Sequence, residues 1–306
     1  MEHYLKLLDC SKEEITSLLD LADQLKYERK HGIVHKYLDG MSLGMIFQKS
    51  STRTRVSFEA GMYQLGGQAM FLSDRDLQIG HGEPIEDTAR TLSRYLDGIM
   101  IRTFDQSETE TLAKYSTVPV INGMTDFSHP CQVLADLMTV REHFAQLEGL
   151  KMGFVGDGFN MCNSLIVGCL KVGMEVSVAT PEGYEPHPTV LAFAEEQKAK
   201  GAKFTLSHDP KIAANHADVL FTDVWSSMGQ EEQAQQRRKD FAGFQVNHEL
   251  MTCCKDGAMV QHCMPAHRGE EITAELLEQH ADEIFEETEN RLHAQKAVMV
   301  SLMGKR

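Results

Sequence analysis

The sequence predicts an α/β fold of two domains, each a parallel sheet flanked by helices. Three observations carry that expectation. Short apolar runs alternate with helical patterns along the chain, the alternation restarts after residue 150, and 306 residues suit about two domains. Strands separated by helices pair in parallel, because a tight turn joins only antiparallel neighbours. Forty-five acidic residues against 30 basic give a net charge of −15, which argues against a general binder of nucleic acid or anionic membrane. Hydrophobic residues at 42% and charged residues at 25% are a globular rather than a disordered composition. No apolar run approaches the roughly 18 residues of a membrane span. The opening Met-Glu-His-Tyr lacks the basic-then-apolar layout of a signal peptide. Seven cysteines, an odd count without a CxxC pair, read as reduced thiols. The expectation is a cytoplasmic protein.

Ser11-Lys12-Glu13-Glu14 has capping-box spacing, and Ile15, Leu18, Leu19, Ala22 and Leu25 follow at helical intervals. A helix over 12–28 is therefore expected. Strands follow at 43–47, 69–72, 98–101 and 118–121, with helices near 53–65, 84–96 and 107–115. A long helix from about His129 to Gln146 leads into a hinge at Leu147–Leu150. In the second half, strands are expected at Met152–Val155, Glu175–Ala179, Lys203–Leu206, Val219–Thr222 and Ala258–Gln261. Helices at 160–172, 187–200 and 210–216 separate the first four. The polar stretch 226–246 reads as a mobile loop. Glu286–Met303 closes the chain as a helix with Leu292, Val298 and Leu302 on its apolar side.

Four segments carry candidate chemistry. Lys49-Ser50-Ser51-Thr52-Arg53-Thr54-Arg55 follows a strand and opens a helix, whose free N–H groups and positive dipole end suit a phosphate. Hydroxyls add donors and Arg53 supplies a planar fork. The bland alternative is a serine cap followed by solvated arginines. The segment lacks the glycines of a P-loop. Gly156-Asp157-Gly158 invites a dinucleotide reading, but the third glycine is missing and Ala179-Thr180-Pro181 stands where a ribose-binding acid belongs. Asn160 there either caps the helix or binds a polar ligand. His129-Pro130-Cys131-Gln132 opens the long helix, where a histidine can donate to a carbonyl oxygen and Gln132 can orient an amide; a loop histidine before a first-turn proline is the alternative. Finally, Asp223 and His262-Cys263-Met264-Pro265 lie at strand ends, where α/β ligands bind. His262, Cys263 and His267 lack a second cluster at zinc spacing, so no metal is expected. Asp223 suits an ammonium group.

Together these segments resemble the aspartate/ornithine carbamoyltransferase family from the first helix to Glu289-Asn290-Arg291. Ser51-Thr52-Arg53-Thr54-Arg55 and His129-Pro130-Cys131-Gln132 are similar to its carbamoyl-phosphate motifs. Asp223-Val224-Trp225-Ser226-Ser227-Met228-Gly229 and His262-Cys263-Met264-Pro265 are similar to the motifs that select ornithine. Phe159, where an asparagine is common, and Met264, where leucine is usual, depart from the pattern. The resemblance implies transfer of a carbamoyl group from carbamoyl phosphate to the δ-amine of L-ornithine, giving citrulline and phosphate in arginine metabolism. It implies a carbamoyl-phosphate domain at 1–146, an ornithine domain at 147–285, and a C-terminal helix at 286–306 that returns to the first domain.

Carried over by position, Ser51, Thr52, Arg53, Thr54, Arg102, His129, Gln132 and Arg291 would hold carbamoyl phosphate. Gln78 would reach a neighbouring subunit's site, in a homo-oligomer expected to be a trimer with sites at subunit interfaces. Asn160, Asp223, Ser227, Met228, Cys263 and the Met264 backbone would hold ornithine. Arg102, His129 and Cys263 would act on the reacting groups, and no cofactor would be needed. The alternatives are a relative acting on putrescine or aspartate, and an NAD-dependent dehydrogenase or small-molecule sensor on a similar fold.

Overall fold

The computed structural model describes residues 1–227 and 229–304. It divides into two compact units, Met1–Ala135 with the chain from Asn290 onward, and Asp136–Glu289. The last helix therefore contributes its C-terminal part to the first unit, where Lys26 Nζ donates to Asn290 Oδ1 at 2.7 Å.

The first unit opens with α1 (Lys12–Lys30), started by the capping box: Ser11 Oγ accepts from Glu14 N, and the Glu14 carboxylate accepts from Ser11 N. Then come β1 (Ser42–Phe47), α2 (Thr52–Gln64), β2 (Gln68–Ser73), α3 (Ile85–Leu92), β3 (Gly98–Arg102), α4 (Gln106–Tyr115), β4 (Val120–Met124) and the start of α5 (Pro130–Phe144), whose residues from Asp136 on belong to the second unit. All four strands are parallel, in the order β2-β1-β3-β4. The chain winds from β1 to β2 on one side and then crosses to β3 on the other. The topological switch point, where open α/β sheets bind ligands, therefore lies between β1 and β3. Lys49–Thr52 and Arg102 flank it. The β3–β4 register shifts between Ile101 and Arg102, with Gly123 as the extra residue on β4.

The second unit follows the same logic. Its strands are β5 (Lys151–Val155), β6 (Glu175–Ala179), β7 (Phe204–Ser207), β8 (Val219–Thr222) and β9 (Met259–His262), paired in parallel as β7-β6-β5-β8-β9. Helices α6 (Asn160–Lys171), α7 (Pro188–Ala199), α8 (Pro210–Ala214), α9 (Ala234–Asp240), α10 (His248–Met251), α11 (Ala274–Gln279) and α12 (Ala281–Met303) complete the chain. The switch point lies between β5 and β8, so Gly156–Asp157 and Asp223 flank it. Gly158 serves packing rather than a pyrophosphate: a Cβ there would sit 2.4 Å from Tyr184 O.

The architecture matches the expected fold class, and several details differ from the sequence expectations. The strand expected at 118–121 starts at Val120 instead, because Pro119 has no N–H for the ladder. The third helix stops at Leu92, where Ser93 Oγ turns back to donate to Ala89 O at 2.6 Å. α12 begins at Ala281, five residues before the expected start. The stretch 226–246 is not one polar loop. It contains α9, and Phe241, Phe244 and Val246 enter the core beside Trp225. Arg237, inside that polar stretch, is buried against Asp157 at 2.6 Å and also donates to Trp225 O.

Candidate active site

In the first unit the β1–α2 connection builds an anion-binding corner. Ser51 caps α2, its hydroxyl accepting from Thr54 N at 3.1 Å. Of the three bases nearby, Lys49 is buried against Asp126 and sits 4.1 Å over the Phe104 ring. Arg55 pairs with Glu59 and lies 3.9 Å over Phe71. Arg53 is the one left without an ion-pair partner among the described residues, at the end of a helix whose dipole is positive. The solvated-arginine alternative thus describes Arg55 and fails for Arg53, which is half-buried.

Thr54 ties the corner together. Its hydroxyl accepts from Arg102 Nη1 at 3.5 Å and from Arg291 Nη2 at 3.3 Å. Arg291 also donates to Gln132 Oε1 at 2.6 Å and to Gln295 Oε1 at 2.8 Å, and Gln295 Nε2 continues the chain to Ser57 Oγ. Arg102, Arg291, His129 and Gln132 are all nearly inaccessible. Burial, then the charges of Arg291, Arg102 and Arg53, hold the His129 imidazole well below the usual histidine range. His129 is therefore neutral. It also reports the local field: three guanidinium groups converge on one place, which suits a dianion. Cys131, beside it in sequence, is no nucleophile, since burial pushes its thiol up to about 12.

The second unit gathers a different set. Cys263 Sγ donates to Asp223 Oδ1 at 3.0 Å. Burial raises the Asp223 carboxyl, opposed by His262 and the Cys263 bond; burial and Asp223 together lift the Cys263 thiol well above its ordinary value. Donor atoms of Asp223, His262 and Cys263 lie within 4.8 Å of one another, a triad of metal-ligating types that sequence spacing did not suggest. Its chemistry does not fit a metal. His262 Nδ1 accepts from Met264 N and Nε2 faces Glu271, so no ring nitrogen remains, and the thiol is held protonated.

Asn160 stands at the first turn of α6, buried, with Phe159 as the cap, so Asn160 is not the helix cap. Ser227 N donates to Gln230 Oε1 at 3.0 Å. Met264 has φ +53. Met228 lies outside the described residues, and Gln78 is exposed at the start of a short 3-10 turn, Gln78–His81, after β2.

The structure thus assembles Ser51, Thr54, Arg102, His129, Gln132 and Arg291, with Arg53 close enough to bias His129, into one cluster; Thr52 is exposed on the same turn. Sequence reasoning missed Gln295 and Ser57, although Gln295 follows Arg291 at the i+4 helical spacing.

Residues 2–142 match the carbamoyl-phosphate-binding domain of aspartate/ornithine carbamoyltransferases, and residues 148–302 match the family's aspartate/ornithine-binding domain. The chain belongs to the aspartate/ornithine carbamoyltransferase family. Within it, the chain is 54% identical over 302 residues to the ornithine carbamoyltransferase of Carboxydothermus hydrogenoformans, covering 98% of this chain and 97% of that one. It is 53% identical over 299 residues to that of Thermococcus kodakarensis, covering 97% and 95%. Among solved structures, the ornithine carbamoyltransferase of Pyrococcus furiosus superposes with a TM-score of 0.95 at 51% identity, covering 100% of this chain and 98% of that one. The anabolic enzyme of Campylobacter jejuni gives 0.94 at 41% identity, with 100% of both chains covered. Ser51, Thr54, Arg102, His129 and Gln132 fall in the residues matched to the carbamoyl-phosphate-binding domain, while Asp223, His262 and Cys263, and also Arg291, fall in those matched to the aspartate/ornithine-binding domain.

Proposed function

We infer that the chain transfers the carbamoyl group of carbamoyl phosphate to the δ-amine of L-ornithine, giving L-citrulline and phosphate. The observation that carries this is the neutral His129 among three guanidinium groups, in a chain whose relatives are ornithine carbamoyltransferases. The assigned residues span 1–146 with 286–306 for carbamoyl phosphate and 147–285 for ornithine. Ser51, Thr52, Arg53, Thr54 and the α2 N-terminus neutralise the phosphate, with Arg291 holding Gln132 and Thr54 in place. Arg102 and neutral His129 donate to the carbamoyl oxygen and stabilise the oxyanion that forms on attack.

The δ-amine attacks only when neutral, and its pKa resembles lysine's, about 10.4. A cationic, desolvated site favours its deprotonation. A C–N bond forms, the C–O bond to phosphate breaks, and the departing phosphate accepts the amine proton. Asp223 pairs with the α-ammonium group. Asn160, Ser227 and Met228 hold the rest of the amino acid, while Cys263 and the Met264 carbonyl lie beside the reacting amine. No step of this scheme calls on a cofactor or metal.

A colorimetric citrulline assay tests the reading. Citrulline should form only with both substrates present, and putrescine, which lacks the α-ammonium and α-carboxylate, should react far more slowly. Comparable rates with the two amines would reassign the second substrate. We further propose a homotrimer in the cytoplasm, with Gln78 and its loop completing a neighbour's site; the free thiols support the compartment. Mixing an Arg53→Ala chain with a chain lacking residues 76–83 should restore part of the activity. Full activity in a species that sedimentation shows to be monomeric would contradict the shared site.

A further inference from the structure

The residues 262–267 form a turn that carries two of the candidate amine-side groups, Cys263 and Met264, and a single carboxylate holds both of its ends. Glu271 and His262 are completely buried. Glu271 Oε1 meets His262 Nε2 at 3.0 Å at the start of the turn and accepts from His267 N at 2.6 Å at its end. Between them, Met264 N donates to His262 Nδ1 at 2.9 Å. A backbone N–H can only donate, so Nδ1 carries the lone pair and Nε2 the proton, which fixes the tautomer. The histidine backbone is held as well, its N–H donating to Glu287 Oε2 at 3.0 Å.

Two features set this arrangement apart from ordinary packing. Both hydrogen bonds fall on one oxygen of Glu271, while Oε2 is buried with no hydrogen-bond partner among the described residues. A half-satisfied buried carboxylate is destabilising compared with an apolar side chain of similar shape, and such groups call for an explanation. In addition, Met264 is held at φ +53, a conformation that a non-glycine residue keeps only when its surroundings impose it. The residue between the imidazole and this strained position is Cys263, whose Sγ points at Asp223 Oδ1, 3.0 Å away.

We propose that Glu271, acting through His262, is a positioning residue that aims Cys263 and the Met264 carbonyl on the amine side of the reaction. Glu271 touches no reacting atom in this scheme. It fixes the imidazole, the imidazole fixes the Met264 amide, and the amide fixes the strained turn. The inference rests on the reading of Asp223 and Cys263 as the ornithine side.

Three variants test it, each assayed for Michaelis constants, turnover and the alkylation rate of Cys263 by iodoacetamide, resolved by peptide mass spectrometry. Glu271→Ala removes the acceptor. It should raise the Michaelis constant for ornithine at least tenfold and change Cys263 labelling severalfold, with that for carbamoyl phosphate within twofold. Glu271→Gln keeps an acceptor oxygen of the same reach and should stay within about threefold of the parent. Glu271→Asp keeps the charge but is one methylene short, so it cannot hold both donors; it should shift ornithine binding and labelling even if Glu271→Ala fails to fold. Folded Glu271→Asp that labels Cys263 and binds ornithine as the parent does would overturn the proposal. So would Gln and Asp variants that lose ornithine affinity alike. An unmodified chain inactive with ornithine would instead refute the functional reading, so the two failures are distinguishable.

Discussion

The two units build opposite candidate sites on related open parallel sheets, one of four strands and one of five. Each is a parallel sheet whose chain reverses direction of winding, and each places its candidate residues where the strand order switches. In the first unit the switch point carries a helix N-terminus, Arg53 and Arg102; burial, and then the charges of Arg291, Arg102 and Arg53, drive the His129 imidazole toward its neutral form. In the second it carries Asp157 and Asp223, both carboxyls raised by burial, with a thiol rather than a cation beside Asp223. The comparison teaches that the fold sets only the place. On the proposed reading, the sign of the charge brought there decides which substrate is held, a dianion in one unit and an ammonium in the other.

Breaking the cationic half should produce the largest effect. Arg53→Ala removes a guanidinium that has no ion-pair partner among the described residues, leaving a desolvated phosphate short of a charge-assisted bond. Losing one partner of a buried pair typically costs about 3–5 kcal/mol, so the Michaelis constant for carbamoyl phosphate should rise roughly 100- to 5000-fold at 1.4 kcal/mol per decade. Steady-state kinetics at saturating ornithine read it directly, and an unchanged constant would remove Arg53 from the site.

The acidic half breaks in the complementary way. Asp223→Asn keeps the shape and removes the charge, at about 2–5 kcal/mol for a lost partner of a desolvated pair. Catalytic efficiency for ornithine should collapse, while the Michaelis constant for carbamoyl phosphate stays near that of the parent. An Asp223→Asn protein still efficient with ornithine would show that the carboxylate holds something else.

The same unit yields a pH prediction of intermediate size. Burial pushes the Asp157 carboxyl up to about 6, even though Arg237 pulls it down. With the folded value above the unfolded one, the folded state binds more protons between pH 4 and 6, so stability should fall as pH rises through that window. The change is on the order of 3 kcal/mol for a shift of about two units. Chemical denaturation from pH 4 to 7 should show this slope in the parent and not in Asp157→Asn; an equal slope in both would place its origin elsewhere. The smallest effect belongs to the α2 cap: Ser51→Ala should lower stability by about 1 kcal/mol, and a stability unchanged within error would mean the cap bond to Thr54 contributes nothing.

Much of this was readable in the residues themselves. The capping box at Ser11, the alternation of LGMIF-type runs with helical spacing, and Ser51 before a helix are local signals, and each formed as expected. The segments near Arg53, Arg102 and His129 could be named one by one. Their convergence could not, because Arg291 meets Gln132 and Thr54 across 159 and 237 residues of sequence. The stretch 226–246 misled for a physical reason. Its polar composition hides three core residues, Phe241, Phe244 and Val246, and a buried Arg237 whose partner, Asp157, lies 80 positions away. Glu271 was invisible for the same reason, since its role depends on a turn closed nine residues earlier at His262.

The division of labour between the units is tested most directly by calorimetric titration of carbamoyl phosphate into the parent, Arg53→Ala and Asp223→Asn side by side, without ornithine. The expected result is parent-like affinity for Asp223→Asn and at least a hundredfold loss for Arg53→Ala. Equal losses in the two variants, or a parent-like Arg53→Ala, would contradict the assignment of the dianion to the cationic unit.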